Sequence, residues 1–282
     1  MSLGALALNW SLDGPTGMAF LVAVLAAAGI YLLAARQGQR RDRRGRPWPA
    51  RRTVCFLGGL AVLVLDLYSG IGTEADARLS VHMVEHMTMW LVVAPMLAAG
   101  APVRLALYAL APPGRRRLGR WLRSRWASAA TGPIGSVSLF SAVLLIAHLP
   151  AVYGLALSND YVHELEHGLF LATSLLIWAP VLGVDPLPHR PTARGQFACM
   201  VACMLPMAVV AAWLSIASGP VYGHYLGTLG PAALHDQRLA AMIMWVGGLP
   251  AFAVPALMRM GWLRQRTLAR RAEITPVSNP AR

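Results

Sequence analysis

Lysine is absent from this 282-residue chain, so each of its 25 basic residues is an arginine. Charge of either sign is scarce. Only 13% of the residues are Asp, Glu, Lys or Arg, against 56% that are hydrophobic, and the mean hydropathy is +0.52. That balance excludes an ordinary soluble domain and belongs to a membrane protein. Three cysteines are too few for a disulfide framework. Residues 1–17 hold no basic side chain, and the first positive cluster follows the first apolar run instead of preceding it. The run therefore reads as a membrane span and not as a signal peptide.

What is present is a series of long apolar runs. A crossing of the hydrocarbon takes roughly 20 mainly apolar residues. Seven segments meet that need, near 16–35, 54–70, 80–100, 134–152, 161–183, 195–218 and 238–258. We expect an all-α polytopic bundle: a seven-span domain over 1–271 and a disordered cytoplasmic tail over 272–282, where Pro276 and Pro280 fall. On this plan the arginines gather on one face. They lie in the loops after spans one, three and five and in the C-terminal tail, leaving only Arg78 and Arg238 opposite. The positive-inside rule then sets the N-terminus outside and the C-terminus in the cytoplasm, in a bacterial inner membrane.

The same placement accounts for the net charge of +13. Arginines just cytoplasmic of span ends fix topology and meet anionic lipid, so nucleic acid is not an expected partner. The stretch RRLGRWLRSRWASA at 116–129 interleaves Arg with Leu and Trp and reads as an amphipathic helix on the inner membrane surface. Cys55, Cys199 and Cys203 map to cytoplasmic span ends. Cys199 and Cys203 share a helix face with Met207, a spacing that would suit a soft metal but suits small-residue packing better.

Seven of the eight histidines fall on the outer face in this plan, with His189 alone on the other. Most acidic residues follow them. The sequence HMVEH opens span three at 82–86, and HELEH opens span five at 163–167. Residues i, i+3 and i+4 share a helix face, so His82, Glu85, His86 and Met89 form one stripe and His163, Glu166 and His167 another. Histidines four apart are separated by about 6 Å along the axis, within reach of one ion. Facing stripes would bring four imidazoles together, with Glu85 and Glu166 as ligands or ring-orienting partners. His235 and Asp236 precede span seven and are supporting candidates. An isolated interfacial histidine is ordinarily a hydrogen-bonding group and a methionine ordinary filling. Two i,i+4 pairs on one face go beyond that, because ionisable groups in spans are costly. Imidazole with carboxylate suits zinc or Cu(II), and thioether with imidazole suits Cu(I). The motif H-x-x-E-H is also the inverted zincin signature, so a membrane zinc metallopeptidase is a rival reading. Facing histidines on two helices could also ligate a haem, giving an electron-transfer protein.

Three segments carry a family likeness: HMVEHMTMWLVVAPMLAAGAP at 82–102, HELEHGLFLATSLLIWAPVLG at 163–183 and HDQRLAAMIMWVGG at 235–248. Together they resemble the CtaG-type cytochrome c oxidase assembly factors, multi-span bacterial proteins associated with caa(3)-type oxidases. The family's His pair, Ala-Pro, Asp-Gln and Met-Trp elements fall here on His82, His86, Pro95, Asp236, Gln237, Met244 and Trp245. Members commonly have Gln before the second His of the first pair, where this chain has Glu85. The resemblance implies a non-enzymatic metallochaperone role in oxidase maturation. Copper would be handled at the periplasmic face, with oxidase subunits or periplasmic copper chaperones as partners.

Overall fold

A computed structural model describes residues 14–41, 47–189 and 191–249. The described residues contain helices and no strand. In chain order the helices are α1 (Gly14–Arg41), α2 (Ala50–Tyr68), α3 (Gly70–Ala77), α4 (Leu79–Thr88), α5 (Ala94–Ala99), α6 (Pro102–Ala109), α7 (Pro112–Leu122), α8 (Arg125–Thr131), α9 (Pro133–Ala147), α10 (Pro150–Ser158), α11 (Asp160–Leu182), α12 (Ala193–Ile216), α13 (Gly223–Leu229) and α14 (Ala233–Gly247). A π turn, Met89–Val93, joins α4 to α5, and a 3-10 turn, Gly230–Ala232, leads into α14.

Among the described residues, four helical stretches are long and apolar enough to cross a membrane: Thr16–Arg40, Leu79–Ala109, Asp160–Leu182 and Ala193–Ile216. Two bent pairs raise the number to as many as six. The second expected span breaks at Ser69, where α2 and α3 meet at 45°. Only glycine fits just beyond this bend, since a Cβ on Gly72 would collide with the Leu67 carbonyl. The fourth, expected at 134–152, is interrupted at His148 and Leu149 between α9 and α10, and the second bent pair lies at its start, where α8 and α9 meet at 68°. Its helix α9 has 15 residues, about 22 Å of rise against roughly 30 Å of hydrocarbon. The seventh expected span begins in α14, but residues 250–258 lie outside the described part, as does the tail from Ala272. The expected surface helix at 116–129 is two short helices, α7 and α8, separated at Ser124, whose hydroxyl accepts from Ala127 N at 3.2 Å. Trp121 and Trp126 are exposed there.

The periphery is apolar. Leu25, Ile30 and Leu33 on α1, Leu139 and Ile146 on α9, and Leu205 and Val209 on α12 are all exposed. Such a surface would be insoluble in water and is the expected exterior in lipid. Inside, α4 packs on α3 and α14, α11 on α5, α9 and α10, and α12 on α9 and α14. The buried centre is aromatic. Trp90 lies 5.6 Å from Phe140, and Phe140 lies 5.6 Å from Phe170. Phe170 in turn lies 4.9 Å from the His86 ring, so this core is the floor on which the histidines rest.

Candidate metal centre

The two helices that carry H-x-x-E-H are started by different caps in the same register. The Asn159 side chain accepts from Tyr161 N at 3.0 Å and Val162 N at 3.3 Å, opening α11. At α4, Asp236 reaches in from α14. Its carboxylate accepts from Ser80 N at 3.1 Å and from the Ser80 hydroxyl at 2.5 Å. Each cap satisfies first-turn donors that the helix itself cannot. Both first histidines consequently sit at the fourth residue of their helices, and the stripes meet.

His82, Glu85, His86, Glu166 and His167 are buried, and His163 is half-buried. His82 Nδ1 and Nε2, His86 Nε2, His163 Nε2, His167 Nε2, Glu85 Oε2 and both Glu166 carboxylate oxygens are enclosed without a hydrogen-bond partner. Each such atom costs about 1–3 kcal/mol when left unsatisfied. So many in one place are the mark of a site that binds something else. His82, His86 and Glu166 each offer an atom, all within 4.8 Å of one another. Three atoms bound at about 2.0–2.1 Å to one ion stand about 3.3–3.6 Å apart, so a contraction of about 1 Å at the widest pair would close this trio on a metal. His86 Nε2 to Glu166 Oε1, at 3.8 Å, is already close to that spacing. The donor set fits a first-row ion of the zinc or copper kind.

The glutamates cross between helices: Glu166 of α11 faces His86 of α4, while Glu85 of α4 faces His167 of α11 at 3.7 Å. Glu85 also lies 3.9 Å from His82 Nδ1. Beside the cluster is a cavity of about 290 Å3, lined in part by Asp76, Asp160, Glu164, Glu85, His163 and His167.

The supporting candidates fall elsewhere. Asp236 spends both oxygens on Ser80, and so holds the helix that bears His82. His235 is exposed on α14. Gln237 is a bolt, accepting from Val221 N at 2.7 Å and donating to Leu214 O at 2.9 Å. Of the methionines near the motifs, Met83, Met87, Met89 and Met244 belong to the packed core and Met242 is exposed. Cys199 and Cys203 are buried on α12 with Met200 and Met207. His148 anchors Nδ1 on the Leu144 carbonyl at 2.8 Å, and its Nε2 is unpartnered. His224 bonds the Asp76 carbonyl at 2.9 Å. Sequence reasoning missed Tyr153, which sets its ring edge-on to His82 at 5.3 Å and shares a 2.6 Å hydrogen bond with the Tyr225 hydroxyl. It follows Pro150 in an apolar stretch with no polar signal to single it out.

Fold and site together define an all-helical membrane protein with a buried histidine–carboxylate cluster at one end of its bundle. A family model described as cytochrome c oxidase caa3 assembly factor (Caa3_CtaG) matches residues 29–265. The chain belongs to that family. It is similar to uncharacterized proteins of Mycobacterium bovis and Mycobacterium tuberculosis, each 30% identical over 91% of this chain and 40% of the relative. A Mycobacterium leprae protein, also uncharacterized, is 28% identical over 80% of this chain and 36% of its own length. The chain thus spans about two fifths of the curated relatives it matches. No solved structure matches.

Proposed function

We propose that this protein serves cytochrome c oxidase assembly by holding copper at the His82–His86–Glu166 cluster and its neighbours, and by supporting its delivery to the oxidase. The cluster would face the periplasm, with the C-terminus in the cytoplasm of a bacterial inner membrane. Oxidase subunits or periplasmic copper chaperones would be its partners, and its role would be binding and transfer without turnover. The observation that carries this reading is the convergence of buried, unpartnered imidazole nitrogens and carboxylate oxygens from two helices. Copper held there is cargo. The chain's own part is to present ligands rigidly on capped helices, to fix ring orientation through Tyr153 and Phe170, and to exclude water from below with the Trp90–Phe140 core.

Two histidines of one motif with a carboxylate from another helix, the motif's own Glu left free, is also the His2Glu set of a zinc peptidase. What favours binding and transfer over that rival is membership of an assembly-factor family. The cavity speaks against haem. A haem needs a large apolar slot, whereas the cavity here is about 290 Å3 and bears Asp76, Asp160 and Glu164, small for ligand pockets of roughly 300–1,000 Å3. Elemental analysis of the detergent-purified protein tests the reading. Copper in stoichiometric amount is expected. Zinc alone would move the function to zinc, and a Soret band would move it to haem.

A further inference from the structure

We propose that the cluster is two metal stations in series and not one four-histidine site: a loading station of Glu85, His163 and His167 that faces the cavity, and an enclosed station of His82, His86 and Glu166. This rests on the reading that the cluster binds a metal cation.

The first observation is an internal symmetry. Exchanging α4 with α11 carries His82 onto His163, Glu85 onto Glu166 and His86 onto His167. Under that exchange the trio His82, His86 and Glu166 becomes His163, His167 and Glu85. The pairwise contacts obey it, although only the enclosed trio has all its ligand atoms within 4.8 Å of one another, so the cavity-facing trio is the wider one. The crossed contacts are 3.8 Å for Glu166 with His86 and 3.7 Å for Glu85 with His167. The ring centroids within each pair are 4.4 Å apart in both helices. The ligand-capable atoms of the second trio, Glu85 Oε2, His163 Nε2 and His167 Nε2, are buried and unpartnered like those of the first.

Ring orientation argues against a shared ion. An imidazole nitrogen directs its lone pair within the plane of its own ring. His82 and His163 are stacked, 5.7 Å apart with planes 11° from parallel, so their nitrogens address different points. His82 and His167 centroids stand 6.4 Å apart. Two trios, each of two nitrogens and one oxygen, leave each ion an open position, the arrangement of sites that exchange ligands. Four histidines on one ion would close it.

Position gives the order. Glu85, His163 and His167 line the cavity, whereas His82, His86 and Glu166 do not. The cavity wall also carries Asp76, Asp160 and Glu164, with no arginine among the lining residues. Tyr68 fixes Glu164 by donating to its Oε1 at 2.5 Å. Carboxylates on a low-dielectric wall concentrate cations and speed their arrival. The ligand class is therefore a free or labile first-row cation. It enters past the acidic wall, meets Glu85 and His167 first, and has only the short crossing to the enclosed trio left.

The test is a titration of the metal-free, detergent-purified chain with Cu(II), the copper ion that imidazole and carboxylate suit, against a chromophoric chelator, paired with elemental analysis. Two equivalents are expected for the parent. Glu85→Gln and His167→Ala should each bind one, and so should His86→Ala. Asp160→Asn should keep both while slowing uptake by about tenfold at low salt. Circular dichroism melting identifies any variant that has lost its fold, and Glu85→Gln, nearly isosteric, is the variant on which the result stands. Saturation of the parent at one equivalent, abolished equally by changes on either helix, overturns the two-station proposal and leaves the copper reading standing. No copper bound by the parent overturns both.

Discussion

The bundle treats its buried polar groups in opposite ways at its two ends. At the end where α11 finishes, several buried and half-buried polar groups have partners in the chain, with Trp178 Nε1 left unpartnered. Asp185 accepts from Arg104 N at 2.7 Å and Val103 N at 3.4 Å, capping α6. The Tyr31 hydroxyl donates to the Gly100 carbonyl at 2.7 Å, the Gln196 amide donates to Val181 O at 2.8 Å, and His189 meets the Ser128 hydroxyl at 3.0 Å. At the end where α4 and α11 begin, histidine and glutamate atoms lie buried and unpartnered within a few ångströms of one another. The contrast teaches where function resides. Satisfied polar groups hold helices together, and unsatisfied ones stay costly until a ligand arrives.

The most drastic way to break this comparison is to turn the molecule over. By the positive-inside rule the arginine distribution predicts the histidine end outside, so a reporter active only in the periplasm and fused after Arg282 should be silent. Strong activity would place the cluster in the cytoplasm and overturn the proposed periplasmic role.

Next in size is a change that separates binding from stability. Replacing His86 and His167 together by Leu should lower copper content by at least tenfold, because each proposed trio loses a ligand. Yet the metal-free variant should melt no lower than the metal-free parent, since replacing unsatisfied buried polar groups by apolar ones is commonly neutral or stabilising. A large loss of stability without metal would mean that these histidines are structural, and the two ends would no longer differ.

Much of this was legible in the sequence, and what was not has physical causes. The all-helical fold follows from apolar run length, and both histidine stripes follow from i,i+3,i+4 spacing, which fixes a face in any helix. In the structure the two stripes lie side by side, His82, His86 and Glu166 nearest one another. The bends at Ser69 and Gly132 were illegible because hydropathy averages over windows longer than a kink. The crossing of the glutamates depends on side chains from different helices, for which spacing along one helix carries no information. The place of Asp236 on Ser80 was hidden for the same reason, since the partners are 156 residues apart.

Asp236 and Asp185 sharpen the comparison at a smaller scale, because both are buried carboxylates that cap another segment's helix. Asp236→Ala strands the buried Ser80 hydroxyl and amide, at a cost of about 1–3 kcal/mol. It should also weaken copper retention, as His82 lies two residues beyond Ser80. Asp185→Ala should cost about 0.5–2 kcal/mol, the usual range for a lost helix cap, with copper content unchanged. Chemical denaturation and elemental analysis of the two variants provide the check. Equal effects on copper would show that Asp236 acts on the fold as a whole and not on the cluster.

The smallest effects belong to two glycines of α11, one toward each end. Gly183 closes the helix with φ +61°, a left-handed conformation that costs a residue with a Cβ about 1–2 kcal/mol. Gly168, next to His167, is exposed, and a Cβ there would meet nothing within 4 Å. Alanine at Gly168 is therefore free of collisions and should stabilise by about 0.5–1 kcal/mol through the entropy that glycine loses in a helix. Alanine at Gly183 should destabilise by about the amount its backbone demands. Melting in one detergent should thus move the two variants in opposite directions, and copper content should stay at the parent level in both. If Gly168→Ala released copper, the first turns of α11 would have to flex for the cluster to hold its ion, and the rigid presentation of ligands argued for this end would fail.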